Sequence, residues 1–144
     1  MFGSIFSSKT QKLVKKWEKE HQEIVVIATK VIENYNTHNH NKAKKYLRDL
    51  NSLAVGHVMN EDIEFYKLLK EKRKTDIETD NMINEFTHSF KGTKLTLMNF
   101  LYKYTRDDTR LDQEFFYTFT QIVDAVGKRI DFEENNLYQK LRDL

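Results

Sequence analysis

The sequence predicts an all-α fold, an antiparallel up-down-up-down four-helix bundle, on three observations. Proline is absent and glycine occurs only four times, where average usage would place roughly seven prolines in a chain this long. Apolar residues recur three and four positions apart over long stretches, which is the spacing of one helical face. Short clusters of turn-prone polar residues break that pattern at three places only.

The opening MFGSIFSSK is too short for the apolar core of a signal peptide and lacks its charged start. Residues 1–9 are expected to form a flexible N-terminal segment, with Phe2, Ile5 and Phe6 able to pack on the bundle, and residues 10–144 form the bundle itself. From Gln11 the first helix carries Leu13, Val14, Trp17, Ile24, Ile27, Ala28, Val31 and Ile32 on one stripe. It ends in Asn34–Asn41, where four asparagines supply turn and cap propensity. A second helix is expected from about Lys42 to Lys72, bearing Ala43, Leu47, Leu50, Ala54 and Ile63. Thr75 or Asp76 then offers an N-cap to a third helix that reaches about Tyr104. Asp107-Asp108-Thr109 is the last turn, and a fourth helix runs from about Leu111. No helix keeps a strict heptad along its whole length, which favours a globular bundle over a coiled coil.

Composition removes several classes of function. The 144 residues include 24 basic and 22 acidic side chains, a formal charge of +2, so no strong attraction to nucleic acid or an anionic membrane follows. The basic clusters Lys15-Lys16, Lys44-Lys45 and Lys70–Lys74 are interleaved with acids on solvated faces. There are no cysteines, which excludes disulfides, thiolate metal sites and cysteine nucleophiles. No apolar run approaches the 18 or so residues of a membrane span, and a cytoplasmic location is expected. No Ser-His arrangement for nucleophilic catalysis stands out. Phe115, Phe116, Tyr117 and Phe119 cover more directions than one stripe, which fits either a wide core or a partner-facing surface.

Polar residues at matched depth carry the chemistry. His21, His57 and His88 lie inside three different helices, and Glu61 is one turn beyond His57 on the same face. The fourth helix repeats that shape as Arg129-Ile130-Asp131-Phe132-Glu133. His21 stands 16 residues before Thr37 and His57 16 after Asn41; Glu61 stands 13 before Lys74 and His88 12 after Asp76; His88 stands 19 before Asp107 and Arg129 20 after Thr109. At about 1.5 Å per residue, these equal counts bring all four helices to one level, within roughly a turn. Buried imidazoles and carboxylates cost several kcal/mol unless paired, and convergent ones suit Fe, Mn or Zn. Gly56, Gly92 and Gly127 fall near that level inside helices, which points to close helix approach or to a small cavity that could take a diatomic molecule.

Glu20-His21, His57-Val58-Met59-Asn60-Glu61-Asp62, Thr87-His88 and Ile130-Asp131-Phe132-Glu133-Glu134-Asn135-Asn136-Leu137-Tyr138 together resemble the hemerythrin-like, His-His-Glu cation-binding family. The shared pattern is a His helix followed by a His-x-x-x-Glu helix, given twice, here with gaps of 36 and 41 residues. The resemblance covers Trp17 to Leu141. It implies a non-haem di-iron centre in the bundle, with His21, His57, Glu61, His88 and Glu133 as ligands and Glu61 and Glu133 able to bridge. It also implies binding or sensing of O2 or a related small oxidant, or turnover of peroxide, O2 or nitric oxide.

Where the family pattern has a histidine in the fourth helix, this chain has Arg129. A guanidinium stays charged and has no lone pair to offer a metal. Three arrangements accommodate it. The second iron binds weakly, leaving one metal; Arg129 swings outward while Glu134, water or a tyrosine substitutes; or Arg129 pairs with Glu61 or Glu133 and replaces a metal, giving a metal-free interaction module.

Overall fold

In the computed structural model residues 4–71 and 77–138 are described, and within the helices the side chains of 4–10, 58–59, 62–63, 65–71, 78–79, 82–83, 86–87, 89–90 and 137 lie outside the description. Four helices follow in order, α1 (Ser4–Asn36), α2 (His40–Glu71), α3 (Ile77–Tyr104) and α4 (Gln113–Phe132). A single π-helical turn, π1 (Glu133–Leu137), continues α4. There is no strand among the described residues. The all-α four-helix fold is therefore as expected, although α1 begins at Ser4 rather than Gln11. Residues 1–3 and the expected cap at Thr75 or Asp76 lie outside the described residues.

Two of the connections between helices lie among the described residues, and both are short and held by hydrogen bonds. At the first turn His38 adopts a left-handed φ of 60°. This lets the amide of Asn39 donate to the Asn34 carbonyl at 2.8 Å and closes the end of α1. The second visible connection, between α3 and α4, is clamped from α2. Arg48 donates to the Thr105 carbonyl at 3.1 Å and pairs with Asp107, while Lys44 reaches the carbonyls of Arg106 and Thr109. Asp112 then caps α4 by accepting from the Phe115 amide at 2.8 Å.

Buried residues define a narrow seam. On α1 they are Val14, Trp17, His21, Ile24, Ala28 and Val31; on α2 they are Ala43, Leu47, Leu50, Ala54, His57 and Glu61. Both sets alternate steps of three and four, so the polar residues occupy ordinary core positions. The half of the bundle near the α1–α2 turn is filled by hydrocarbon and by stacked rings, Phe115 lying 5.5 Å from both Phe100 and Phe119. The Phe-rich start of α4 divides between roles. Phe115 and Phe119 are core, Phe116 stacks on Tyr35 at 4.8 Å, and Tyr117 is exposed.

The helical glycines do not serve close approach. A Cβ built at Gly56, Gly92 or Gly127 meets no atom within 4 Å. Gly127 instead borders a cavity, so only the cavity reading survives, and only there.

Candidate metal centre

Four side chains converge where the apolar seam is interrupted. His21 comes from α1, His57 and Glu61 from successive turns of α2, and Glu133 from the start of π1. All four are at least nineteen-twentieths buried, both glutamates being 1% exposed. One donor atom from each lies within 4.8 Å of the others, so the group could hold a metal ion.

Each imidazole is held from behind by a carboxylate. His57 Nδ1 meets Glu20, and His21 Nδ1 lies 3.2 Å from Glu134 Oε1. A carboxylate at Nδ1 keeps the proton there and turns the Nε2 lone pair inward, the arrangement that orients histidine ligands. Nε2 of His21 faces Glu133 at 3.0 Å. Nε2 of His57 is 3.3 Å from Glu61 but makes no hydrogen bond and is fully buried. An orphaned, inward-facing nitrogen of this kind is costly unless something accepts its lone pair or supplies it a proton. With two imidazoles and two carboxylates, the donor set fits Fe, Mn or Zn.

The other face of the carboxylates is held by Arg129 and Tyr138. Arg129 pairs with Glu133 through Nε and lies 3.4 Å from Glu61 through a terminal nitrogen. It points inward onto both carboxylates rather than swinging outward, and Glu134 is engaged with His21. Tyr138 sits 3.0 Å from Glu61 and 3.1 Å from Glu133. The π-turn makes that contact. In an α-helix the residue four beyond Glu133 would return to the inner face, whereas the wider turn brings round the fifth, Tyr138, whose amide donates to the Glu133 carbonyl. Tyr138 also stacks on Trp17 at 5.4 Å and His21 at 5.9 Å, closing the floor of the site.

The ionisation of the cluster is uneven. Burial pushes the Glu61 carboxyl up, to about 7, against the pull of His57, and the neighbouring Glu133 charge adds to the rise. Burial acts on Glu133 in the same sense, yet His21 and Arg129 outweigh it and hold that carboxyl down at about 2. Burial opposes charge on both imidazoles, but Glu133 raises the His21 pKa and Glu61 with Glu20 raises that of His57. Burial and the two carboxylates keep Tyr138 a neutral phenol. Its single proton can serve only one carboxylate, so a proton on Glu61 satisfies the other contact. A divalent cation carries the same charge as the two imidazolium protons it would displace.

His88, expected as a further ligand, is not brought to the cluster. It is exposed on α3. Equal counts set height and leave rotation free. His88 precedes the core-facing Leu97 by nine residues, which at about 100° per residue is half a revolution round the helix. The supporting residues Glu20, Glu134 and Tyr138 were harder to find in sequence. Glu20 and Glu134 adjoin residues already implicated, and Tyr138 closes the fourth-helix segment that carries the resemblance, but its contact with both glutamates depends on the π-turn.

A cavity of about 310 Å³ opens onto the cluster, with Tyr138 not among its lining. Its walls include Ile24, Ala28, Leu50, Phe119, Ile122 and Val126, and its lining also takes in His21, His57, Glu61, Arg129 and Glu133. No described helix is long and apolar enough to cross a membrane. No family model matches this chain, and neither a curated protein nor a solved structure does.

Proposed function

We propose that this bundle holds one transition-metal ion, iron, at His21, His57, Glu61 and Glu133, and offers it to O2 or a related small oxidant through the apolar cavity. The observation that carries this reading is the pair of outer carboxylates. Glu134 and Glu20 each tether an imidazole at Nδ1, leaving both Nε2 atoms turned toward buried glutamates. Bare charge pairing would not need that second layer, whereas ligand orientation does. The resemblance of the His21, His57-x-x-x-Glu61 and Glu133 order to hemerythrin-like proteins supports iron among the metals the donors suit.

The chain's own residues have definable tasks in this reading. His21 and His57 supply neutral nitrogen, Glu61 and Glu133 supply charge, and Tyr138 restrains both carboxylates. Arg129 places a fixed cation beside them, which argues for one metal rather than two. Bound iron would supply redox-active coordination positions, and the hydrocarbon wall would keep bulk water from them.

Arg129 also favours a second reading, in which the guanidinium itself neutralises the carboxylates and the bundle works without metal as an interaction module. Elemental analysis separates the two. Protein produced with iron and purified without chelator should carry close to one iron per chain, with a visible spectrum that changes on admitting O2. Protein that holds no transition metal and takes none up from excess Fe(II) would overturn the metal reading.

A further inference from the structure

The residues around the cavity are of kinds that leave it open. Its lining takes Ala28 from α1, Ala54 from α2 and Gly127 from α4, which have little or no side chain to fill the space. Ile24, Ile32, Ile122, Val123 and Val126 also line it, and β-branched side chains on a helix keep one strongly preferred χ1 rotamer, so they resist turning to fill it. The volume that remains, about 310 Å³, is roughly twice that of a cavity known to hold benzene and stands at the lower edge of small-molecule sites.

The charges in the lining narrow the choice of occupant. Arg129 is paired with Glu61 and Glu133, and both carboxylates also meet Tyr138. His21 and His57 each have a glutamate at Nδ1, and Lys94 has an interaction of its own within the molecule. Thr29 donates its hydroxyl to the Val25 carbonyl at 2.8 Å. A charged ligand of either sign would give up its hydration and find each counter-charge already engaged. An uncharged hydrocarbon has no such loss and gains from the apolar walls.

We propose that the cavity binds one uncharged hydrocarbon molecule of about twelve carbons, twice the size of benzene, in contact with the buried cluster whose residues share its lining. The binding goes beyond metal uptake and does not depend on it. Only the role of the molecule as an organic partner beside an oxidant-binding ion rests on the metal reading.

Equilibrium dialysis of the full chain against benzene, naphthalene, acenaphthene and pyrene tests the proposal, with the protein both in EDTA and loaded with Zn(II). Saturable one-to-one binding is expected in both states. Naphthalene should bind at least about tenfold tighter than benzene, since each added carbon buries more apolar surface. Acenaphthene should bind tighter still, and pyrene more weakly because it outgrows the space. The charged analogues 2-naphthoate and 2-naphthylmethylammonium should each bind at least about tenfold more weakly than naphthalene. Gly127→Leu should weaken acenaphthene by about tenfold or more, as leucine takes up part of the volume. That variant is expected to fold, since an added Cβ meets no atom within 4 Å and leucine is the better helix former. Val26→Ser should change nothing, because Val26 is exposed and outside the lining.

No saturable binding, pyrene bound as tightly as acenaphthene, a charged analogue bound more tightly than naphthalene, or full affinity in Gly127→Leu would each overturn the proposal. Loss of acenaphthene on loading Zn(II) would overturn it too, by placing the ligand on the metal donors themselves. Acenaphthene bound by a protein that takes up no metal would sustain this site and remove the metal reading; metal uptake without hydrocarbon binding would do the reverse.

Discussion

Replacing Arg129 with methionine separates the two demands placed on the buried carboxylates. The guanidinium meets Glu133 directly and Glu61 at 3.4 Å, with its side chain 14% exposed. At that distance the gross attraction between unit charges is about 5 kcal/mol for an effective dielectric near 20. Removing one partner of such a buried pair leaves a net cost of about 3–5 kcal/mol, because the remaining carboxylate is desolvated without compensation. For 144 residues the entropy of unfolding converts this to about 10–15 °C in melting temperature. The same substitution removes a positive charge from beside a cation site, so metal affinity should move the other way. Thermal melts by circular dichroism at pH 7, in EDTA and with one equivalent of Fe(II) under anaerobic conditions, read both effects. Arg129→Met should melt well below the parent protein in EDTA and recover to the parent's level or above with metal. Equal melting of the two proteins in EDTA, or weaker Fe(II) binding by the variant, would refute the reasoning.

Glu20→Gln keeps the shape of the side chain that backs His57 and removes its charge; Fe(II) affinity should fall about 10–100-fold by competitive titration, with the helical spectrum unchanged. His88→Ala should leave Fe(II) stoichiometry and affinity unaltered, because His88 is exposed and outside the convergent group, and a lost equivalent of metal would show that α3 turns inward. The metal-free protein should lose stability as pH rises. Glu61, His21 and His57 all have folded pKa values above their ordinary ones, so their contribution is complete below the unfolded values and is lost as pH climbs through about 7 and beyond. Glu133 is shifted down and has the opposite sign, its contribution fading only as pH falls below its ordinary value toward about 2. Metal uptake should strengthen over the same rise in pH, because the ligands must shed protons. Melting temperatures from pH 5.5 to 8.5 should therefore fall in EDTA and hold or rise with metal; parallel slopes would contradict the pKa assignments.

The helical class, the number of helices and the positions of two turns follow from local rules and need no tertiary information. Lack of proline, apolar residues at helical spacing and an asparagine-rich turn act within a few residues of where they stand, and the helices form where those signals place them. His21, His57, Glu61 and Glu133 are legible for a related reason. They lie in step with the apolar seam, as His21 does between Trp17 and Ile24, and a seam residue is carried inward whatever its chemistry.

Rotation and local winding are decided elsewhere. His88 is exposed, because a helix's azimuth is set by which of its stripes packs, a property of the whole bundle that counting residues to a turn does not fix. Tyr138 reaches both glutamates only through the extra residue held in the π-turn, and no periodicity counted along the sequence contains that insertion. Arg129 could be read as a missing ligand from its position alone. That it turns inward onto Glu61 and Glu133 depends on two buried carboxylates from different helices arriving at one place, where a low dielectric makes their charges the strongest claim on the nearest cation.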